Sequence, residues 1–186
     1  MSTTDRSGVI TLGGTAQVLM PASANRDYWR VQNGSHGELW WNDVGTAAIG
    51  QPGSYRLGPG SMYESPTGGS SAAGISITGA TTALGFASLE ITGPVPGVTI
   101  IDRSGILGTT PVLVFSANAS RNGYRLMNLS HADIWYSETG TAVVNGSGSF
   151  RLSPGAFFES TPGPVTINAV SFVGTALSLS YSAGEW

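Results

Sequence analysis

Short runs of alternating apolar and polar residues recur along the chain at roughly ten-residue spacing, each bounded by Gly, Pro, Asn or Ser, the signature of short strands joined by turns. In the first half the strands are predicted at Ala16–Met20, Tyr28–Asn33, Glu38–Asn42, Ser54–Leu57, Ser61–Glu64, Gly74–Thr78 and Ala83–Glu90. In the second half they fall at Val112–Phe115, Gly123–Asn128, Asp133–Ser137, Ser149–Leu152, Ala156–Glu159, Ala169–Val173 and Ser178–Glu185. No window carries apolar residues at i, i+3, i+4 and i+7 without a Gly or Pro interrupting it, so helices are not expected. Leu57-Gly58-Pro59-Gly60 and Leu152-Ser153-Pro154-Gly155 place Pro and then Gly at the centre of a turn, which is type II chemistry. Asn33-Gly34-Ser35-His36-Gly37 lies between two strand-like runs and reads as a hairpin loop.

The two sets of strands are copies of each other. At a shift of 95, Trp40 falls on Trp135, Gly45-Thr46-Ala47 on Gly140-Thr141-Ala142, Pro59-Gly60 on Pro154-Gly155, and Glu90 on Glu185. Asp5-Arg6-Ser7-Gly8 recurs as Asp102-Arg103-Ser104-Gly105 at a shift of 97. A period this long exceeds that of solenoid repeats, and each copy is long enough to bury a small core of its own. The expected fold is all-β: two tandem homologous antiparallel β-sandwich or jelly-roll domains. Their expected limits are residues 1–90 and 102–186, with a Pro/Gly linker over 91–101 centred on Gly93-Pro94-Val95-Pro96-Gly97. Residues 1–10, polar and Gly-containing, read as an arm that orders on a neighbour.

Alternation assigns faces. Leu39 and Trp41, like Ile134 and Tyr136, point to the core, so Trp40 and Trp135 are expected to face outward. The same reasoning buries Trp29, Val31, Tyr55 and Leu57 with their counterparts Tyr124, Leu126, Phe150 and Leu152. It turns Arg30, Arg125, Arg56 and Arg151 outward, where they could stack on the tryptophans. His36 and His131 occupy equivalent loop positions, and a loop histidine is expected to donate to a backbone carbonyl. Trp40, Trp135, Arg30, Arg125, Arg56, Arg151, His36 and His131 are therefore the candidate interface residues, since Trp and Arg are favoured anchors at interfaces.

Charge sharpens the picture. Only 10 % of residues are charged, the net charge is −3, and lysine is absent, which disfavours nucleic-acid binding. No run of about 18 apolar residues predicts a membrane helix, and the N-terminus shows no leader pattern. With no cysteine, thiolate metal sites and cysteine nucleophiles are excluded, and neither a metal nor a cofactor is expected. Nearly every charge has a twin: Arg6 with Arg103, Arg26 with Arg121, Arg30 with Arg125, Arg56 with Arg151, Glu38 with Asp133, Asp43 with Glu138; Asp27 alone faces an uncharged residue, Asn122. Such retention points first to ion pairs that each copy needs in order to fold, and second to one patch presented twice to a repeated partner. Nucleophile elbows, P-loops and His-rich metal motifs are missing, and no catalytic residues are assigned.

The outline of the repeat is Thr15-Ala16-Gln17-Val18-Leu19-Met20-Pro21-Ala22, Arg26 to Asn33, Leu39-Trp40-Trp41, Gly45-Thr46-Ala47 and Leu57-Gly58-Pro59-Gly60, echoed by Arg121, Asn128, Ile134-Trp135, Gly140-Thr141-Ala142 and Leu152 to Gly155. It resembles small β-rich virion proteins of tailed bacteriophages. That resemblance implies a non-enzymatic structural protein of the virion that decorates or cements the capsid. Its implied partners are the major capsid protein or other virion proteins, in a homo-oligomer for which a trimer is the guess. The alternative is a carbohydrate- or receptor-binding module of a head fibre or tail accessory, with exposed aromatics stacking on sugar rings.

Overall fold

The computed structural model describes residues 2–66, 70–93, 99–160 and 165–186. The chain divides into two compact units, one of Met1–Gly50 and Ser54–Ile100, the other of Ile101–Trp186 with Gln51–Gly53. Both are all-β among the described residues. The first unit contains β1 (Ser2–Asp5), β2 (Gly8–Val9), β3 (Gln17–Met20), β4 (Arg26–Asn33), β5 (Leu39–Asn42), β6 (Tyr55–Leu57), β7 (Met62–Glu64), β8 (Ile75–Gly79) and β9 (Gly85–Thr92). The second contains β10 (Ile101–Asp102), β11 (Gly105–Leu107), β12 (Val112–Phe115), β13 (Tyr124–Asn128), β14 (Ile134–Ser137), β15 (Phe150–Leu152), β16 (Phe157–Glu159), β17 (Val170–Gly174) and β18 (Leu179–Glu185).

Each unit is a jelly roll. In the first, one sheet runs β1-β9-β4-β7 with β2 also on β9, and the other runs β3-β8-β5-β6. The second repeats this as β10-β18-β13-β16 with β11 on β18, and β12-β17-β14-β15. All pairings are antiparallel. Consecutive strands mostly alternate between the two sheets, so the inward residues of both sheets close one core per unit. The first core stacks Trp41 on Tyr55 at 4.6 Å and sets Trp29 edge-on to Trp41 at 5.0 Å. The second replaces these with Tyr124, Tyr136, Phe158 and Phe172 around buried Leu126, Ile134 and Leu179.

Three expectations are corrected. The segment expected as an arm over residues 1–10 instead supplies two strands, β1 and β2, to its own unit. Ser2–Asp5 pair with Leu89–Thr92, Gly8–Val9 with Gly85–Phe86, and Ile10 is fully buried. Main-chain pairing with β9, rather than side-chain pattern, orders this polar segment. Asn33–Gly37 is not a hairpin loop, because β4 and β5 belong to different sheets. It is an arch, pinned by the buried Asn33 amide, which donates to Gly37 O at 2.7 Å and Leu57 O at 2.9 Å. Phe150 is exposed, unlike its twin Tyr55. The type II turns form as expected: Ser61 N donates to Gly58 O, Ala156 N to Ser153 O, and Gly60 and Gly155 have φ of 73° and 74°. The core of the expected linker, Pro94 to Gly97, lies outside the described residues, and β9 extends through Thr92 into the span assigned to it.

Candidate interaction surface

The eight candidate residues separate by environment. Register sets Trp40 between Arg56 and Thr78, and Trp135 between Arg151 and Val173. Directly opposed residues have Cβ atoms about 5 Å apart, so each arginine stem runs beside an indole. Trp40 is nonetheless buried, which corrects the expectation that it is displayed; Trp135 is half-buried. Trp41 and Tyr136 are buried too. An indole or phenol without an open face cannot stack on a sugar ring, and this weakens the carbohydrate-binding alternative.

Arg30 is exposed and reaches Glu64 at 3.6 Å, and Tyr28 Oη donates to the same carboxylate at 2.7 Å. Partial burial, followed by the bond to Glu64 and that group's charge, raises the Tyr28 pKa. Arg30 also lines an open groove of about 460 Å³ with Thr3, Asp5, Gln32 and Met62. The Asp5 carboxyl there is held below its ordinary value by bonds from Ser7. Arg125, expected outward like its twin, is instead buried. The residue across the sheet differs: Leu89 faces Arg30, whereas Gly184 faces Arg125 and leaves room for the guanidinium stem. Arg56 pairs with Glu38 at 3.4 Å and Arg151 with Asp133 at 3.0 Å, all solvent-accessible. Pairs of this kind contribute about 0–1 kcal/mol, so they are available to a partner at little cost to the fold.

His36 and His131 are exposed. The expected histidine bond to a carbonyl is replaced by asparagine chemistry. Asn33 and Asn128 are fully buried, and each amide ties its arch to the turn beyond it. Each side-chain oxygen then accepts from the next serine, Ser35 or Ser130. Among the described residues no cluster of three metal-ligating side chains occurs.

The residues that the candidate set missed are the clamps. Arg26, with no solvent exposure, donates through Nε to Glu90 at 2.9 Å, through Nη1 to Ala73 O at 2.8 Å and to Ser71 O, and through Nη2 to Pro21 O at 2.6 Å. Arg6 holds the other oxygen of Glu90 at 2.7 Å. Arg121 repeats this on Glu185, Thr166 O, Asn168 O and Ser116 O, with Arg103 as the second cation. Each clamp ties the loops beside two strands to the last strand of its unit. Twinned charge was the available signal, and here it reports folding rather than contact. A second twinned change is compensated: Trp29 becomes Tyr124 as Asp43 becomes Glu138, and the longer acid accepts from the new hydroxyl. Burial first, then this bond and the Glu138 charge, push the Tyr124 pKa well above its ordinary value.

No protein-family model and no curated protein matches the chain. Among solved structures, the major capsid protein P2 of bacteriophage PM2 aligns over 99 % of this chain and 96 % of its own, with 8 % identity and a TM-score of 0.46. The STIV MCP aligns over 98 % and 94 %, with 9 % identity and a TM-score of 0.38. A chain of the entire lipid-containing bacteriophage PM2 aligns with 93 % of this chain at 13 % identity and a TM-score of 0.32. The present chain spans only 49 % of that chain's length.

Proposed function

We propose that the chain is a non-enzymatic structural protein of a virion, built from two jelly-roll blocks over residues 1–90 and 102–186. Its finer role is to decorate or cement the capsid of a tailed bacteriophage, in contact with the major capsid protein or other virion proteins. The observation that carries this reading is the duplication of one jelly roll, strand for strand and clamp for clamp, within one chain. Jelly rolls recur in viral shells and in lectins, so the step from fold to role is an analogy. Two linked blocks meet two sites of a repeating lattice, and linkage raises the effective concentration of the second contact. The exposed pairs Arg30–Glu64, Arg56–Glu38 and Arg151–Asp133, with half-buried Trp135 and the His36 and His131 arches, are the surfaces assigned to those contacts. The test is re-binding of the purified protein to particles stripped of it. Saturable binding at a fixed ratio to the shell subunit supports the role. A protein that stays in solution, yet changes its tryptophan fluorescence with host glycans, overturns it in favour of receptor binding.

A further inference from the structure

We propose that Asn145 is a self-modifying residue: the Gly146 nitrogen attacks the Asn145 side-chain carbonyl carbon, ammonia leaves, and water opens the cyclic imide to aspartate or isoaspartate. The chain holds three Asn-Gly dipeptides, Asn33-Gly34, Asn122-Gly123 and Asn145-Gly146. The loop between β14 and β15 calls for both residues of the third. Gly146 N donates to Val143 O at 2.9 Å, closing a turn in which Asn145 has a φ of 54°. Its twin in the first unit is Gly50, with a φ of 65°. Asparagine is among the few L residues that occupy this left-handed region readily. A Cβ on residue 146 would lie 2.5 Å from Val143 Cβ, so glycine follows it. The first unit has Gln51 at that place, so the reactive dipeptide occurs in one copy of this loop only.

All three glycine nitrogens are hydrogen-bonded, and the fold ranks them by what ring closure must undo. Asn33 is fully buried. Its Nδ2, the leaving nitrogen, donates to Gly37 O and Leu57 O, and its Oδ1 accepts from Ser35. Gly34 N is held by Gly85 O at 3.1 Å. Asn122 is exposed, but its own nitrogen and that of Gly123 both donate to Trp186 O, and the Trp186 indole packs against Gly123. Asn145 is exposed, and its side-chain amide has no hydrogen-bond partner among the described residues. The one bond that restrains Gly146 N lies within a single turn, so it opens without moving a strand. Exposed loop bonds of this kind sit at the low end of local stability. Once the turn opens, the nitrogen closes a small ring onto the carbonyl carbon, and glycine puts no side chain in the way. Each conversion consumes one water and releases one ammonia, with no oxidant or reductant. The product adds one negative charge to a chain of net charge −3, and the isoaspartyl form adds a carbon to the main chain of the loop. The protein thereby acquires a second surface form with time. This reaction goes beyond the shell role and stands whether or not the chain is a virion component.

The test incubates the full chain in warm, mildly alkaline buffer, folded in one sample and in concentrated urea in another. Cleavage after arginine places Asn33, Asn122 and Asn145 in separate peptides, residues 31–56, 122–125 and 126–151. Mass spectrometry with chromatography follows amide-to-acid conversion and the isoaspartyl product in each. An Asn-Gly that must first shed two further hydrogen bonds reacts at least about tenfold more slowly, so in the folded chain the 126–151 peptide is expected to convert at least about tenfold faster than the other two. In urea the three rates are expected to converge. Asn145→Gly, which copies the twin loop, is expected to keep its melting temperature and to lose the conversion in the 126–151 peptide. An unmodified 126–151 peptide overturns the proposal. So do equal rates at the three sites in the folded chain, a spread that persists in urea, or conversion that survives in Asn145→Gly. None of these results bears on whether the chain binds a shell.

Discussion

Arg26 and Glu90 are both buried, and the arginine also satisfies three loop carbonyls. Removing one partner of such a pair leaves an uncompensated charge. Arg26→Met, or Arg121→Met in the second unit, is expected to lower unfolding free energy by about 3–5 kcal/mol. Arg56→Met, on an exposed pair, is expected to change it by less than about 0.5 kcal/mol. Urea titration of the three variants checks the contrast, and equal small effects would show the clamps to be incidental. The tyrosines add a pH dependence. Burial, with Glu138 nearby, pushes the Tyr136 pKa up to about 12 from its ordinary value of 10.0, and Tyr124 shifts the same way. A raised folded-state pKa favours the neutral phenol, so the stabilisation is complete below pH 10 and is lost as pH rises from 10 towards 12. Absorbance at alkaline pH should show these phenols ionising late, and Tyr136→Phe should flatten the fall in stability over that window. Sequence pairing of charges identified which arginines matter in duplicate. It could not tell Arg26, at zero exposure, from Arg30, because a clamp is set by what the loops bring to it.

Strand positions in the sheets were legible because each is short, alternating and bounded by turn residues. The elements that were not, β1, β2, β10 and β11, are two to four residues long and mostly polar or glycine-bearing. Their order comes from main-chain bonds to β9 and β18, which leave no periodic trace in side chains. The arch at Asn33 was misread for a related reason. Asn-Gly between two strands suits a tight hairpin, but the fully buried Asn33 amide ties the loop to Leu57 O and directs the chain into the opposite sheet. Asn33→Ala leaves two carbonyls short of a donor, and a loss of about 1–3 kcal/mol is expected by chemical denaturation, with Asn128→Ala matching it. The type II turns were readable from Pro-Gly alone. Since Gly60 and Gly155 occupy positive φ, alanine at either should cost about 1–2 kcal/mol.

At the scale of the molecule, the duplication was the strongest signal, since it required no knowledge of contacts. Its limit is equally physical. Twin positions share a scaffold without sharing surroundings, as Arg125 and Arg30 or Phe150 and Tyr55 show. The second unit has its own aromatic core and its own clamp, so residues 101–186 expressed alone are expected to give a single cooperative thermal transition. A molten, non-cooperative profile would mean that the blocks are not self-sufficient. The proposed place in a virus particle is tested by quantitative mass spectrometry of particles purified from the cells that produce the chain. The expected result is the chain at a constant, high ratio to the major shell subunit across preparations. Particles free of it, with the protein found only in the cell lysate, would rule out a structural place in the particle.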